Sequence, residues 1–226
     1  MAIICRKQKL LFIMNPRTAC TALGTVLIDK LDGEMLPPDD ILDQHGFFIV
    51  QSKHSTLGDL LKAKVITNEE SNSLLKFTTV RNPFDSLVSR YEKLRSKYQP
   101  LLEDPKSWIH NIPGYVDNMK YCKTHSFNTW VVKTYLRTAI KRLLGGKPSM
   151  HQRFADGMDA ILHFETMQTD LDAFTAKATP PFKIEIPRIN TTKERSANYR
   201  KYYNTLSRII VQFALKDDLK TYGYSF

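Results

Sequence analysis

The chain has 226 residues, enough for one globular domain with a sizeable core, and it is read as a single domain over 1–226. Hydrophobic residues at 42% and charged residues at 25% are ordinary for a soluble protein and exclude a disordered or membrane-spanning class. Thirty-three Lys and Arg against 23 Asp and Glu leave a net charge of +10, which implies attraction to nucleic acid, acidic membrane or phosphorylated small molecules, or else a basic surface without function.

The first segment, MAIICRKQKLLFIMN, has its charges after a very short apolar run, which does not make a secretory signal. No apolar stretch reaches the roughly 18 residues of a membrane span. Cys5, Cys20 and Cys122 are odd in number, widely spaced and outside any metal-ligand pattern. A cytoplasmic protein in a reducing compartment is expected, with no metal and no membrane partner. The oligomeric state is not encoded.

Short apolar runs at Leu10 to Met14, Phe47 to Val50, Phe77 to Val80 and Ala160 to Phe164 read as buried parallel strands, each followed by a helix-like segment. The fold class is therefore α/β, one domain with a central, mostly parallel sheet flanked by helices. Ligands of such sheets bind at the carboxyl ends of the strands.

After the first run come Pro16, Arg17, Thr18, Ala19, Cys20, Thr21 and Ala22. A strand-to-helix turn offers unpaired backbone N–H groups and the positive end of the helix dipole to an anion. Thr18 and Thr21 add hydroxyls, and Arg17 a planar cation that grips oxygens in pairs. An ordinary connection with an N-capping Thr has the same appearance. Cys20 is either a thiol activated by the helix terminus or an inert buried one.

Pro37-Pro38 reads as a loop. His54 follows the Phe47 to Val50 run and precedes a helix-like stretch, the place for a general base, although a surface or capping His fits equally. Lys53 beside it is a possible assistant or a solvated cation. The third run leads into RNPFDSLVSRYEKLR, with Asn82 as N-cap, Pro83 at the first helical position and Asp85 in the first turn. Arg81 then sits where strand becomes helix, with Ser89 two turns on, facing the same space; the alternative is a salt-bridged Arg and a packing Ser. Pro180-Pro181 marks another loop. In the C-terminal region Leu206, Ile210 and Phe213 recur at helical spacing until Gly223.

Together, PRTACTAL at 16–23 and VRNPFDSLVSRY at 80–91 resemble the two elements by which the sulfotransferase superfamily, especially its carbohydrate-type and bacterial members, binds 3'-phosphoadenosine 5'-phosphosulfate (PAPS). AILHFETMQTDLDAF, INTTKERSANYRKYY and KDDLKTYGYSF resemble later parts of that family, and the likeness is weakest between about Leu94 and Asp159.

The resemblance implies a P-loop-like PAPS-binding core. Arg17, Thr18, Ala19, Cys20, Thr21 and Ala22 would hold the 5'-phosphosulfate, and Arg81 and Ser89 the 3'-phosphate. Lys193 and Arg195 would lie in a segment that closes over the nucleotide. Arg17, in the place of the usual Lys, would meet the leaving oxygen, and His54, with Lys53, would handle the acceptor's proton. PAPS would be the cosubstrate and 3',5'-adenosine bisphosphate (PAP) the product, with a small-molecule or glycan acceptor and no nucleic acid. Where many members have Gly this chain has Ala19, which is compatible with a helical backbone and gives the anion slightly less room. A P-loop-like kinase needs G-x-x-x-x-G-K-[ST], which is absent. A basic nucleic-acid-binding domain would carry a recognition motif, and none is visible.

Overall fold

The computed structural model describes residues 2–178, 181–186 and 198–226. In chain order the strands are β1 (Ala2–Cys5), β2 (Leu10–Ile13), β3 (Glu34–Leu36), β4 (Ile41–Leu42), β5 (Phe48–Val50), β6 (Leu75–Val80) and β7 (Ala160–His163). The α-helices are α1 (Cys20–Leu31), α2 (Leu57–Lys62), α3 (Asn68–Asn72), α4 (Pro83–Glu92), α5 (Tyr115–Thr124), α6 (Phe127–Leu143), α7 (Gln152–Ala155), α8 (Met167–Thr175), α9 (Thr205–Ala214) and α10 (Lys216–Thr221). They group into two compact units, Met1–Arg81 with His151–Thr191, and Asn82–Met150 with Thr192–Phe226.

The first unit holds a five-stranded sheet in the order β3-β1-β2-β6-β7. β2, β6 and β7 pair in parallel, while β1 runs antiparallel to both β2 and β3. Four strands therefore point one way and only β1 is reversed, the mostly parallel α/β sheet expected. Strand β2 reads as an unbroken apolar run because both its faces are covered. Leu10, Phe12 and Met14 meet Leu23 and Leu27 of α1 and Leu171 and Phe174 of α8, whereas Leu11 and Ile13 turn to Leu60 of α2 and Phe154 of α7. Phe77 stacks on Phe12 at 4.9 Å between ring centroids. The carboxyl ends of β2 and β6 thus lie side by side.

One expected strand is corrected. Phe48–Val50 lies outside this sheet, paired antiparallel with Ile41–Leu42 in a two-stranded ribbon. Its turn closes when Asp43 N donates to the Phe47 carbonyl (2.8 Å) and Gly46 takes a φ of 80°, a left-handed conformation that suits glycine. The run is apolar without being buried throughout, since Ile49 is 56% exposed. Strands β1 and β3, of four and three residues, were not read from the sequence.

The second unit packs helices around Tyr91, Phe127 and Trp130. Trp130 Nε1 donates to Asn118 Oδ1 (2.8 Å) and Tyr91 Oη to the His125 carbonyl (2.6 Å), so both rings bury with their polar atoms satisfied. Helix α4 starts as expected, with Asn82 Oδ1 accepting from Phe84 N (3.0 Å) and Pro83 in the first turn. Of the C-terminal residues at helical spacing Ile210 is buried, together with Ser207, Val211 and Ala214, whereas Leu206 and Phe213 are turned outward. Gly223, at φ 68°, follows the end of α10.

Candidate active site

The loop between β2 and α1 is bent by backbone rather than by glycine. Arg17 (φ 68°) and Ala19 (φ 57°) are both left-handed, and Ala19 is the N-cap of α1 with no side-chain cap bond. This sets aside the alternative of an N-capping Thr and puts Ala19, compatible with helical backbone by its sequence, in the left-handed region instead. A left-handed residue is where glycine costs least, which gives a physical reason for the Gly of the resembling motif; Ala bears about 1–2 kcal/mol there. The helix is left with no side-chain oxygen at its positive end, the condition under which an anion is most welcome.

Thr18 contributes to this loop from inside. Fully buried, it donates from Oγ1 to the Asn15 carbonyl (2.7 Å) and lies 2.5 Å from Thr79 Oγ1, so its side chain braces the turn from within. Cys20 and Ala22 are likewise buried, Cys20 in the core beneath α1, and this takes Cys20 to the inert reading. Thr21 is exposed.

Arg81, at the end of β6, is 9% exposed. Its Nη1 donates to the Arg17 carbonyl (3.0 Å), and its guanidinium lies 4.0 Å from the centroid of the Phe164 ring. Arg17 and Arg81, one from each sequence motif, are therefore joined directly within the first unit. Ser89 is buried within α4 of the second unit.

His54 reaches the same strand end. Its Nδ1 lies 2.9 Å from the Met14 carbonyl, and since a carbonyl only accepts, Nδ1 carries the proton and Nε2 keeps the lone pair. Its φ is 72°. Among the described residues six non-glycine residues have such a φ, and Arg17, Ala19 and His54 are three of them. Strain of this kind persists where surrounding structure imposes it. Burial pushes the His54 pKa down to about 3; the bond to Met14 works against that shift, while the charges of Lys53 and Arg17 add to it. Lys53 itself is exposed.

Two residues downstream Thr56 opens α2 with a capping box, accepting from Asp59 N (3.1 Å) while Asp59 Oδ2 accepts from Thr56 N (2.9 Å). We expect Thr56→Ala to remove about 1 kcal/mol of stability, read as a lower urea midpoint at unchanged slope.

A buried network missed by the sequence reading underlies the site. Asn15 Nδ2 donates to the Thr79 carbonyl (2.8 Å) and to His151 Nδ1 (2.9 Å), and His151 Nε2 donates to the Arg81 carbonyl (2.8 Å). Both amide hydrogens and both ring nitrogens are used, and Asn15 and His151 are 1% and 0% exposed. Asn15, polar at the end of an apolar run, carried a local signal. His151, 136 residues away, carried none, and Phe164 read simply as the end of a strand. Lys193 and Arg195 lie outside the described residues.

The family model of the sulfotransferases matches residues 1–225. No curated protein and no solved structure matches the chain.

Proposed function

The chain belongs to the sulfotransferase family, and from that premise we propose that it transfers a sulfuryl group from PAPS to a hydroxyl or amine of a small-molecule or carbohydrate acceptor, releasing PAP. The observation that supports this reading best is the 3.0 Å bond from Arg81 to the Arg17 carbonyl, which joins the two cations at neighbouring strand ends. The residues suit such a donor: an uncapped helix terminus and Arg17 for the sulfate-bearing end, and Arg81, stacked on Phe164, for a second phosphate.

When bound, PAPS supplies a sulfuryl group activated by its bond to phosphate. The protein positions it and stabilises charge, as in phosphoryl transfer. Backbone N–H groups of the loop hold the anion, and Arg17 offsets negative charge on the departing oxygen. His54 Nε2 takes the proton of the acceptor as its oxygen or nitrogen bonds to sulfur. Nδ1–H, held by Met14, keeps the ring in the required tautomer.

Thermal-shift titration tests the donor. PAP is expected to stabilise the protein well beyond ATP, with no Mg²⁺ requirement. Equal stabilisation by ATP, or dependence on Mg²⁺, replaces this reading with that of a kinase-like nucleotide site.

A further inference from the structure

Two helices of the second unit leave apolar stripes in water. On α6 they are Leu136, Ile140, Leu143 and the C-capping Leu144, at 46%, 48%, 75% and 81% exposure; on α9 they are Leu206, Ile209 and Phe213, at 57%, 53% and 41%. Spacings of i, i+4, i+7, i+8 and i, i+3, i+7 place each set on a single helix face.

The helices run side by side in the same direction. Asn128 Oδ1, in the first turn of α6, accepts from Asn204 N (2.9 Å) and Ser207 Oγ (2.5 Å) at the start of α9. At the other end Arg142 lies 6.0 Å from the Phe213 ring centroid. The inner faces are already used: Trp130, Val131 and Tyr135 of α6 and Ile210, Val211 and Ala214 of α9 are in the core. The two outer stripes therefore border one another along the seam. Together they leave seven large apolar residues 41–81% exposed, a clustering that marks an interaction surface rather than scattered surface apolar residues.

Charge identifies the occupant. Neither helix contains Asp or Glu, whereas α6 carries Lys133, Arg137 and Lys141 and α9 carries Arg208; the remaining cation, Arg142, is paired with Asp217 of α10 (2.6 Å). Lys133, Arg137 and Lys141 are exposed and recur every fourth residue, on the flank next to the leucine stripe; Lys147 follows just beyond Gly145 and Gly146. A second copy docking face to face would set these cations against each other. An anionic bilayer surface instead takes the leucines at the headgroup boundary and the cations at its phosphates.

We propose that the α6–α9 face docks the protein on anionic phospholipid membranes. This reverses the expectation of no membrane partner, which rested on the lack of a span. Among the described residues no helix is long and apolar enough to cross a membrane, and lying on a surface needs none. The proposal is independent of the identity of the sulfuryl donor.

Co-sedimentation with vesicles tests it. The full chain is expected to pellet with phosphatidylcholine vesicles containing phosphatidylserine and not with phosphatidylcholine alone, and to release as salt rises. Leu143→Ser/Leu144→Ser should abolish pelleting, and Arg137→Gln/Lys141→Gln should lower the partition coefficient roughly thirty-fold. All four positions are exposed, so circular dichroism and melting are expected to match the parent. Failure of the parent to pellet with phosphatidylserine vesicles overturns the proposal, as does a leucine variant that pellets like the parent. A dimer that Leu143→Ser/Leu144→Ser dissociates, with no vesicle binding, overturns it in favour of a second copy.

Discussion

Replacing His54 with glutamine is expected to lower kcat by about 10²–10⁴-fold, the usual worth of a positioned base, with PAP affinity nearly unchanged. The pH dependence separates this from a packing defect. With a pKa near 3, the ring is neutral throughout the working range, so kcat/KM, which reports the free enzyme, should be flat between about pH 5 and pH 8 rather than rising through the ordinary histidine range near 6.5. The charges of Arg17 and Lys53 help hold the value down, and a donor bound as proposed would set negative charge beside them. The limb in kcat should therefore lie at higher pH than the limb in kcat/KM. The sign carries through to stability: the folded pKa is below the unfolded one, so the unfolded chain takes up a proton first as pH falls below about 6.5 and stability declines from there. His54→Gln should remove that part of the acid sensitivity. An active His54→Gln enzyme with the parent's pH profiles sinks the assignment.

The two strand-to-helix turns were legible because their information is local: an apolar run, a proline, a cation, small hydroxylated residues and a helical period follow one another within a dozen positions. The backbone that makes the first turn work was not, because Arg17, Ala19 and His54 adopt left-handed φ without glycine to mark them. Tertiary contacts impose that conformation, and one sequence carries no sign of it. The same holds for the support beneath the site. Nothing near His151 indicates that its ring bridges Asn15 to the carbonyl of Arg81, since the chain leaves the first unit after Arg81 and returns at His151.

Misreadings of faces had a different cause. Phe47 to Val50 has the composition of a buried strand, yet the Asp43 to Gly46 turn folds it into a ribbon with Ile49 outward. In the C-terminal helix the spacing of Leu206, Ile210 and Phe213 marks a helix without saying which side is buried, and the buried side includes Ser207, whose Oγ donates to Asn128. Hydrophobic period locates a helix well and its orientation poorly when both sides carry apolar residues. Here the surplus side is the one to which membrane docking is assigned.

Arg17 and Arg81 are expected to differ in what their loss does, although they touch. Arg81 donates to the carbonyl of Arg17, a backbone atom, so Arg17→Ala keeps that bond and the loop with it. Its deficit should therefore appear in turnover at saturating nucleotide, by roughly 10²–10³-fold, because a cation at the departing oxygen gains most when charge has built up there. Arg81→Ala removes a charged donor and releases the Arg17 carbonyl together. PAP affinity should fall by about 10–150-fold, corresponding to about 1.5–3 kcal/mol for a charge-assisted bond, and kcat should fall as well because the loop loses its tether. Calorimetry with PAP and steady-state rates at saturating nucleotide measure the two effects separately. Unimpaired turnover in Arg17→Ala would assign leaving-group stabilisation to other groups of the loop and leave Arg17 with a binding role alone.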